Sequence, residues 1–367
     1  MRKIGFVIGP QGFRWQDTYY DKFQKDPKRR PWLEQVPAKF FIDEDGHRWK
    51  AGSDVAPFVR IDVAVGYGLQ YAFRNHKNIQ IDIIHASELT SKKVEQYDLV
   101  INQFFDGLVV PFLKRFESRN GVPQVRLMRL YEKHADKMYP PMDYHKLIMN
   151  KCDYYKFLEK NGETVLPTLC YTRGEDMDTF VRDKLRPFLK ANKITQLFTK
   201  PLHGTDSKDI RLFKDIRTNI VDFVKHVRKL MINPQYPGIV LQKFAKEFET
   251  VTPQARMYFI GNRYMYTVLT KQGVDAYLYN DTVKDDIPFD ELKKRAQKVL
   301  HKFQPFFGNM PMFLTRVDFG CCVNQKYFIN EIEFNGGNYV HMDKNRFNYD
   351  KHMIRQLTAV ISKGNRT

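Results

Sequence analysis

Two strand-like segments near the C-terminus, LTRVDFGCCV and QKYFINEIEF, set Asp318, Glu331 and Glu333 among Val, Phe, Ile and Tyr. Acidic side chains are rarely left inside such segments without a partner that offsets the cost of burying charge. Glu331 and Glu333 stand two residues apart and share one face of their strand, as Arg316 and Asp318 do on the other. A hairpin joined near Asn324-Gln325 brings the two segments together. Three carboxylates on one face make a hard, oxygen-rich set suited to Mg²⁺, which keeps several waters and takes further ligands from substrate phosphates. The same alternation also fits the solvated polar face of an antiparallel sheet.

At 367 residues the chain has room for two or three domains. Its 43% hydrophobic content, with 29 phenylalanines and 20 tyrosines, is that of a globular protein. No uninterrupted apolar run approaches the roughly 20 residues of a membrane helix; LVINQFFDGLVVPFL is broken by Asn102, Asp106 and Pro111. The opening MRKIGFVIG has an apolar stretch too short for a secretory signal and reads as a first strand. The four cysteines form neither a disulfide framework nor CxxC metal spacing. They are expected to be reduced, buried small hydrophobes, which places the chain in the cytoplasm. A formal net charge of +18 suits anionic partners: nucleotides, phosphorylated substrates, polyanions or acidic peptides. The basic residues are scattered, and zinc-finger spacing and RNP-like aromatic motifs are missing, which disfavours nucleic acid.

KIGFVIG reads as a buried strand ending at Gly9-Pro10, and a Trp- and Pro-rich insertion at about 10–58 follows, with a hairpin turning at Asp45-Gly46. Apolar residues recur at helical spacing from Val59 to Asn75. Residues 79–86, 97–104 and 122–128 read as strands, and VVPFLKRFESR as a helix. Strands alternating with helices predict a mainly parallel α/β layer over residues 1–143. The remainder is read as a helix at 144–160, a second at 175–191, a strand–loop–strand at 194–213 and a helix at 218–231. The strand GIVLQKF, a hairpin turning at Gly261-Asn262, a helix at 290–304 and the terminal strands complete an α+β region. Lys200 ends a hydrophobic strand, and His203, Gly204, Thr205 and Ser207 lie in the loop after it. Backbone N–H groups of such a turn, beside an ammonium, can meet phosphate oxygens. The spacing is neither a P-loop nor a dinucleotide fingerprint, and a plain surface turn explains it equally.

From about 145 to 340 the order and spacing of four stretches resemble the ATP-grasp superfamily, which includes D-alanine–D-alanine ligase, glutathione synthetase, biotin carboxylase and RimK-like ligases. MNKCDYYKFLEKNGETVLPT resembles the opening helix, where Lys151 stands in the place of a lysine that contacts ATP phosphates. LFTKPLHGTDSKD resembles the second phosphate lysine, Lys200, with a lid loop at 203–209 that has less glycine than is usual. IVLQKFAKEFE is similar to the hinge that meets the adenine edge, here Gln242, Lys243 and Phe244, with Glu249 in the place of a ribose-binding acid. RVDF and NEIEFNGG resemble the magnesium strands: Asp318 and Glu331 match, and Glu333 replaces the usual Asn. Arg256 matches an arginine near the phosphates or acyl phosphate. Arg316 could meet a phosphoryl oxygen, while Asn335, Gly337 and Asn338 would border the acceptor pocket.

This resemblance implies an α/β N-terminal domain followed by an ATP-grasp fold of two lobes, 144–240 and 241–367, with ATP between them. It implies ATP and Mg²⁺ as cofactors, two ions, with Mn²⁺ as a substitute. The reaction it implies is attack of a substrate carboxylate on the γ-phosphate, followed by displacement of phosphate from the acyl phosphate by an amine. The carboxylate would belong to a small molecule or peptide, and a homodimer is compatible with the family. Two alternatives stay open: an ATP-grasp kinase acting on an anionic acceptor such as an inositol phosphate, and a nucleotide-binding structural or regulatory protein without turnover.

Overall fold

A computed structural model describes residues 1–9, 19–20, 30–42, 58–102, 124–202, 209–232, 236–246, 252–271, 274–279, 287–308, 312, 314–322, 326–333, 354–355, 357–359 and 361–362. Four sheets organise them, one of them a small antiparallel sheet in the order Tyr19–Tyr20, Phe58–Arg60, Phe41–Ile42. The N-terminal sheet runs Ile79–His85, Arg2–Ile8, Leu99–Ile101, Met138–Tyr139, all parallel. Within Arg2–Ile8 the apolar run from Ile4 onward is buried on both faces. The helix Ile61–Phe73 connects into the neighbouring strand and packs on this sheet. The α/β layer expected from the sequence is therefore present.

One segment of that layer departs from expectation. Residues 122–128 were read as a strand, whereas Gln124–Lys133 is a helix. The pattern VPQVRLM fits both periods. Leu130 and Tyr131 decide it, because they extend the helical repeat into a buried cluster with Val7, Ile84 and Val100.

The middle sheet is antiparallel, in the order Arg211–Phe213, Leu197–Pro201, Gly238–Lys243, Thr168–Thr172. One face packs on the helices at 177–191 and 220–232 through Phe180, Leu185, Phe223 and Val227. The C-terminal sheet has five antiparallel strands: Val274–Leu278, Arg263–Lys271, Gln254–Ile260, Leu314–Cys322, Lys326–Glu333. Its hairpin turns at Gly261 and Asn262, with φ of +55° and +63°, a pair of left-handed residues that Gly and Asn supply at little steric cost. The long helix Phe289–Phe307 buries Leu292, Ala296, Val299, Leu300 and Phe303 in the main core. The strand Val274–Leu278 was not anticipated, and the hairpin expected at Asp45-Gly46 lies outside the described residues, as does the helix expected at 109–119.

Two further expectations are corrected. The single helix read at 144–160 is two, Met142–Met149 and Lys151–Lys160. Asn150 is extended there, and its side chain accepts from the Cys152 and Asp153 N–H groups at 3.1 and 3.3 Å, which starts a new helix at Lys151. The cysteines are not all reduced: Cys152 and Cys170 form a disulfide, their Cα atoms 6.2 Å apart. The turn after Lys160 folds the strand Thr168–Thr172 back beside the helix, a juxtaposition that spacing alone did not reveal. Cysteine usage therefore no longer argues for a reducing compartment. Among the described residues no helix is long and apolar enough to cross a membrane.

Candidate active site

The strand register of the C-terminal sheet assembles the charged face. Asp318 lies across from Arg256 on one side and Glu331 on the other, and Arg316 lies across from Glu333. Arg316 donates from Nε to Asp318 Oδ1 at 2.7 Å and from Nη2 to Asp318 Oδ2 at 2.8 Å. Its Nη1 stands 2.9 Å from Glu333 Oε2. Both Arg316 and Asp318 are buried, so this bidentate pair is a charge-assisted anchor rather than a surface contact. Arg256 Nε donates to Gln254 Oε1 at 3.0 Å and lies 3.9 Å from Asp318 Oδ2.

The three carboxylates expected to converge therefore share a face without closing into a preformed cage. Among the described residues no group of three or more His, Cys, Asp or Glu is arranged to hold a metal ion by itself. The Arg316 guanidinium is paired with both Asp318 and Glu333 on that face. The donor set still fits Mg²⁺ arriving with a nucleotide, because that ion is held by one or two carboxylates plus phosphate oxygens and water.

Crowding of negative charge is visible in the protonation equilibria. Burial, and then the Glu331 charge, raise the Asp318 pKa against the pull of Arg316 and Arg256. Glu333 is pushed up to about 7, by burial first and then by Glu331 and Asp318, against Arg316. Its ordinary value is 4.5, so between pH 4.5 and about 7 the folded chain holds a proton that the unfolded chain has released. Stability contributed by that proton is present at the acidic end, falls as pH rises through the window, and levels off above it. Glu333→Gln is expected to flatten this fall in thermal melts at pH 5 and pH 8 without divalent metal. A variant whose melting point falls as steeply as the wild type's removes Glu333 as the source.

The cationic half comes from the other sheet. In Leu197–Pro201 the buried Leu197 and Thr199 face the core, so Phe198 and Lys200 occupy the opposite face. Lys200 Nζ donates to the Tyr155 hydroxyl at 3.2 Å, and that hydroxyl donates to the Asn330 carbonyl at 2.9 Å. Lys151, half-buried as the first residue of its helix, lies one turn from Tyr155. Burial first, and then the Lys200 charge, lower the Lys151 pKa, while Glu331 and Glu333 pull it upward. Lys151 thus sits within electrostatic reach of both Lys200 and the carboxylate face. Half-buried Phe198 and Phe244 stack with ring centroids 6.4 Å apart at the end of the same sheet.

At the end of the strand Gly238–Lys243 the buried Gln242 donates from Nε2 to Thr168 Oγ1 at 3.2 Å. The Lys243 N–H is bonded to Pro167 O and the Phe244 N–H to Gln196 O, so both are engaged within the protein. His203, Gly204, Thr205, Ser207, Glu249, Asn335, Gly337 and Asn338 lie outside the described residues. Sequence reasoning missed Tyr155, although an aromatic one helical turn after Lys151 could have drawn notice. It also missed the pairing of buried Glu163 with half-buried Arg295, two residues far apart in the chain.

Comparison with solved structures places this geometry in a known fold. D-cycloserine synthetase DcsG aligns at 18% identity and TM-score 0.55, over 79% of this chain and 93% of that one. D-alanine–D-alanine ligase from Bacillus anthracis, complexed with ATP, aligns at 12% identity and TM-score 0.51, over 100% of this chain and 98% of that one. No protein-family model matches the chain, and no curated protein does. The chain has the ATP-grasp fold.

Proposed function

We propose that the chain is an ATP- and Mg²⁺-dependent ligase that activates a substrate carboxylate as an acyl phosphate for attack by an amine. The observation that carries this reading is the link from Lys200 through Tyr155 to Asn330, which sets a phosphate-binding ammonium beside the strand of Glu331 and Glu333. In this reading residues 144–240 and 241–367 are the two lobes, and the nucleotide lies between their sheets. The like-folded structures support it: one is of a ligase solved with ATP and the other of a synthetase.

Phosphoryl transfer needs positioning and charge neutralisation more than a protein nucleophile. Lys151 and Lys200 offset the triphosphate charge, and the stacked Phe198 and Phe244 rings offer an apolar contact for an aromatic base. Asp318, Glu331 and Glu333 would hold Mg²⁺, which when bound neutralises phosphate oxygens and withdraws charge from the leaving group. Arg256, half-buried over Asp318, is placed to steady the attacking carboxylate or the transferred phosphoryl group. The carboxylate oxygen forms a bond to the γ-phosphorus as the bond to ADP breaks. The amine then attacks the acyl carbon, inorganic phosphate leaves, and the ammonium proton passes to solvent. The 203–209 loop is proposed as the cover that keeps water from the acyl phosphate.

The test is release of ADP and phosphate from Mg·ATP with pooled carboxylic acids and amines, read together with mass spectrometry of the products. The reading predicts phosphate release that requires both pools and yields a product lighter than its parents by one water. A phosphorylated alcohol formed without any carboxylic acid overturns it.

A further inference from the structure

Tyr155 is buried, and its single hydroxyl joins groups from two sheets, accepting from Lys200 Nζ at 3.2 Å and donating to the Asn330 carbonyl at 2.9 Å. A hydroxyl has one proton and two lone pairs, so the bond to Asn330 uses the proton and leaves a lone pair for the lysine. The polarity of the pair is therefore fixed: the ammonium must be the donor. The ring itself is held, with the Tyr154 ring centroid 5.0 Å away and its own helix behind it. Lys200 Nζ also lies 5.6 Å from the Tyr155 ring centroid and 5.9 Å from that of Phe198, within cation–π range.

A lysine on a four-carbon stem has many rotamers, and fixing it costs side-chain entropy. A rigid acceptor already in place removes much of that cost before any ligand arrives. Asn330 directly precedes Glu331, so the same hydroxyl also sets Lys200 relative to the carboxylate strand. Lys151 follows from the helix itself, one turn before Tyr155 on the same side.

We infer that Tyr155 is a positioning residue that holds Lys200 for the phosphates of a nucleotide by anchoring it to the strand bearing Glu331. This inference rests on the nucleotide-binding reading above.

Calorimetric titration of the full chain with Mg·ATP and, separately, with adenosine tests it without knowledge of the other substrates. Tyr155→Phe keeps the ring and removes only the hydroxyl. It is expected to weaken Mg·ATP binding about ten- to hundredfold, the usual scale for one hydrogen bond to a charged group, and to leave adenosine binding unchanged. Lys200→Met is expected to weaken Mg·ATP binding further. In the Lys200→Met background, adding Tyr155→Phe is expected to change affinity less than twofold, because the hydroxyl then has no ammonium to place. Wild-type affinity for Mg·ATP in Tyr155→Phe overturns the inference. So does a full multiplicative loss in the double variant, or an equal loss for adenosine, since either marks a role in packing alone. A wild-type chain that binds adenosine and Mg·ATP with no measurable affinity overturns the nucleotide reading and this inference together, a result distinct from the other three.

Discussion

Glu331→Gln is expected to lower Mg·ATP turnover by about 10²–10³-fold, the scale for loss of one preorganised electrostatic group, with little change in melting temperature. Asp318→Asn is expected to remove turnover as well, but at a cost in stability that Glu331→Gln does not carry. The difference lies in where each carboxylate points. Asp318 is 1% exposed and holds Arg316 through both oxygens at 2.7 and 2.8 Å. An asparagine keeps the shape but leaves a buried guanidinium short of one charged partner. Loss of one partner from such a pair costs about 3–5 kcal/mol. The lower end applies here, because Glu333 remains 2.9 Å from Arg316. Glu331 is half-buried and stands outside those Arg316 pairs, and Glu333 remains to offset the Lys151 charge, so its neutralisation leaves no cation without an acidic neighbour. Turnover and thermal melts of both variants, measured together, separate the roles. Equal destabilisation by the two, or full turnover in Glu331→Gln, overturns the assignment of Glu331 to the reacting face.

Why the carboxylate face could be read from sequence, and its internal pairing could not, follows from range. Strand periodicity is local: residues two apart share a face, so Arg316 with Asp318 and Glu331 with Glu333 were legible from the chain alone. The turn at Gly261-Asn262 was legible for the same reason, since its left-handed residues are written into two consecutive letters. Which carboxylate Arg316 takes depends on cross-strand register and burial, which no local pattern encodes. Residues 122–128 show the converse failure. Their alternation suited a strand, but Leu130 and Tyr131 belonged to the same repeat and their burial decided for a helix. Asn150 hid a boundary inside an apparently continuous helix because a capping side chain looks like any other polar residue until the backbone turns extended. Cys152 and Cys170 met only after the chain had folded back on itself. Tyr155 is the most instructive omission. In the sequence it is one more aromatic on a helix, and its hydroxyl gains meaning only from a lysine in one sheet and a carbonyl in another.

The largest effect on stability is expected from a pair outside the reacting face. Glu163 follows the turn that ends the helix Lys151–Lys160, and its side chain is 4% exposed. Arg295, on the long helix Phe289–Phe307, approaches Glu163 Oε2 at 3.4 Å from Nε and 3.3 Å from Nη2. The same guanidinium donates from Nη1 to the Tyr327 carbonyl at 3.0 Å and lies 5.3 Å from the Phe319 ring centroid. Next to Glu163, the Thr164 carbonyl accepts from the Ile329 N–H at 2.9 Å. These contacts tie the helix that begins with Lys151 to the strands that carry Asp318 and Glu331. Glu163→Ala leaves a largely buried cation without its anion, and a loss of about 3–5 kcal/mol is expected. Arg295→Ala strands the carboxylate and is expected to cost a similar amount. Replacing both, as Glu163→Leu with Arg295→Met, removes the charges together and is expected to recover most of the loss, because an apolar pair needs no partner. Chemical denaturation of the two single variants and the double variant checks this. A double variant as unstable as the sum of the single losses would show that each side chain acts through its own packing, and that the ion pair is not what joins the helix to the sheet.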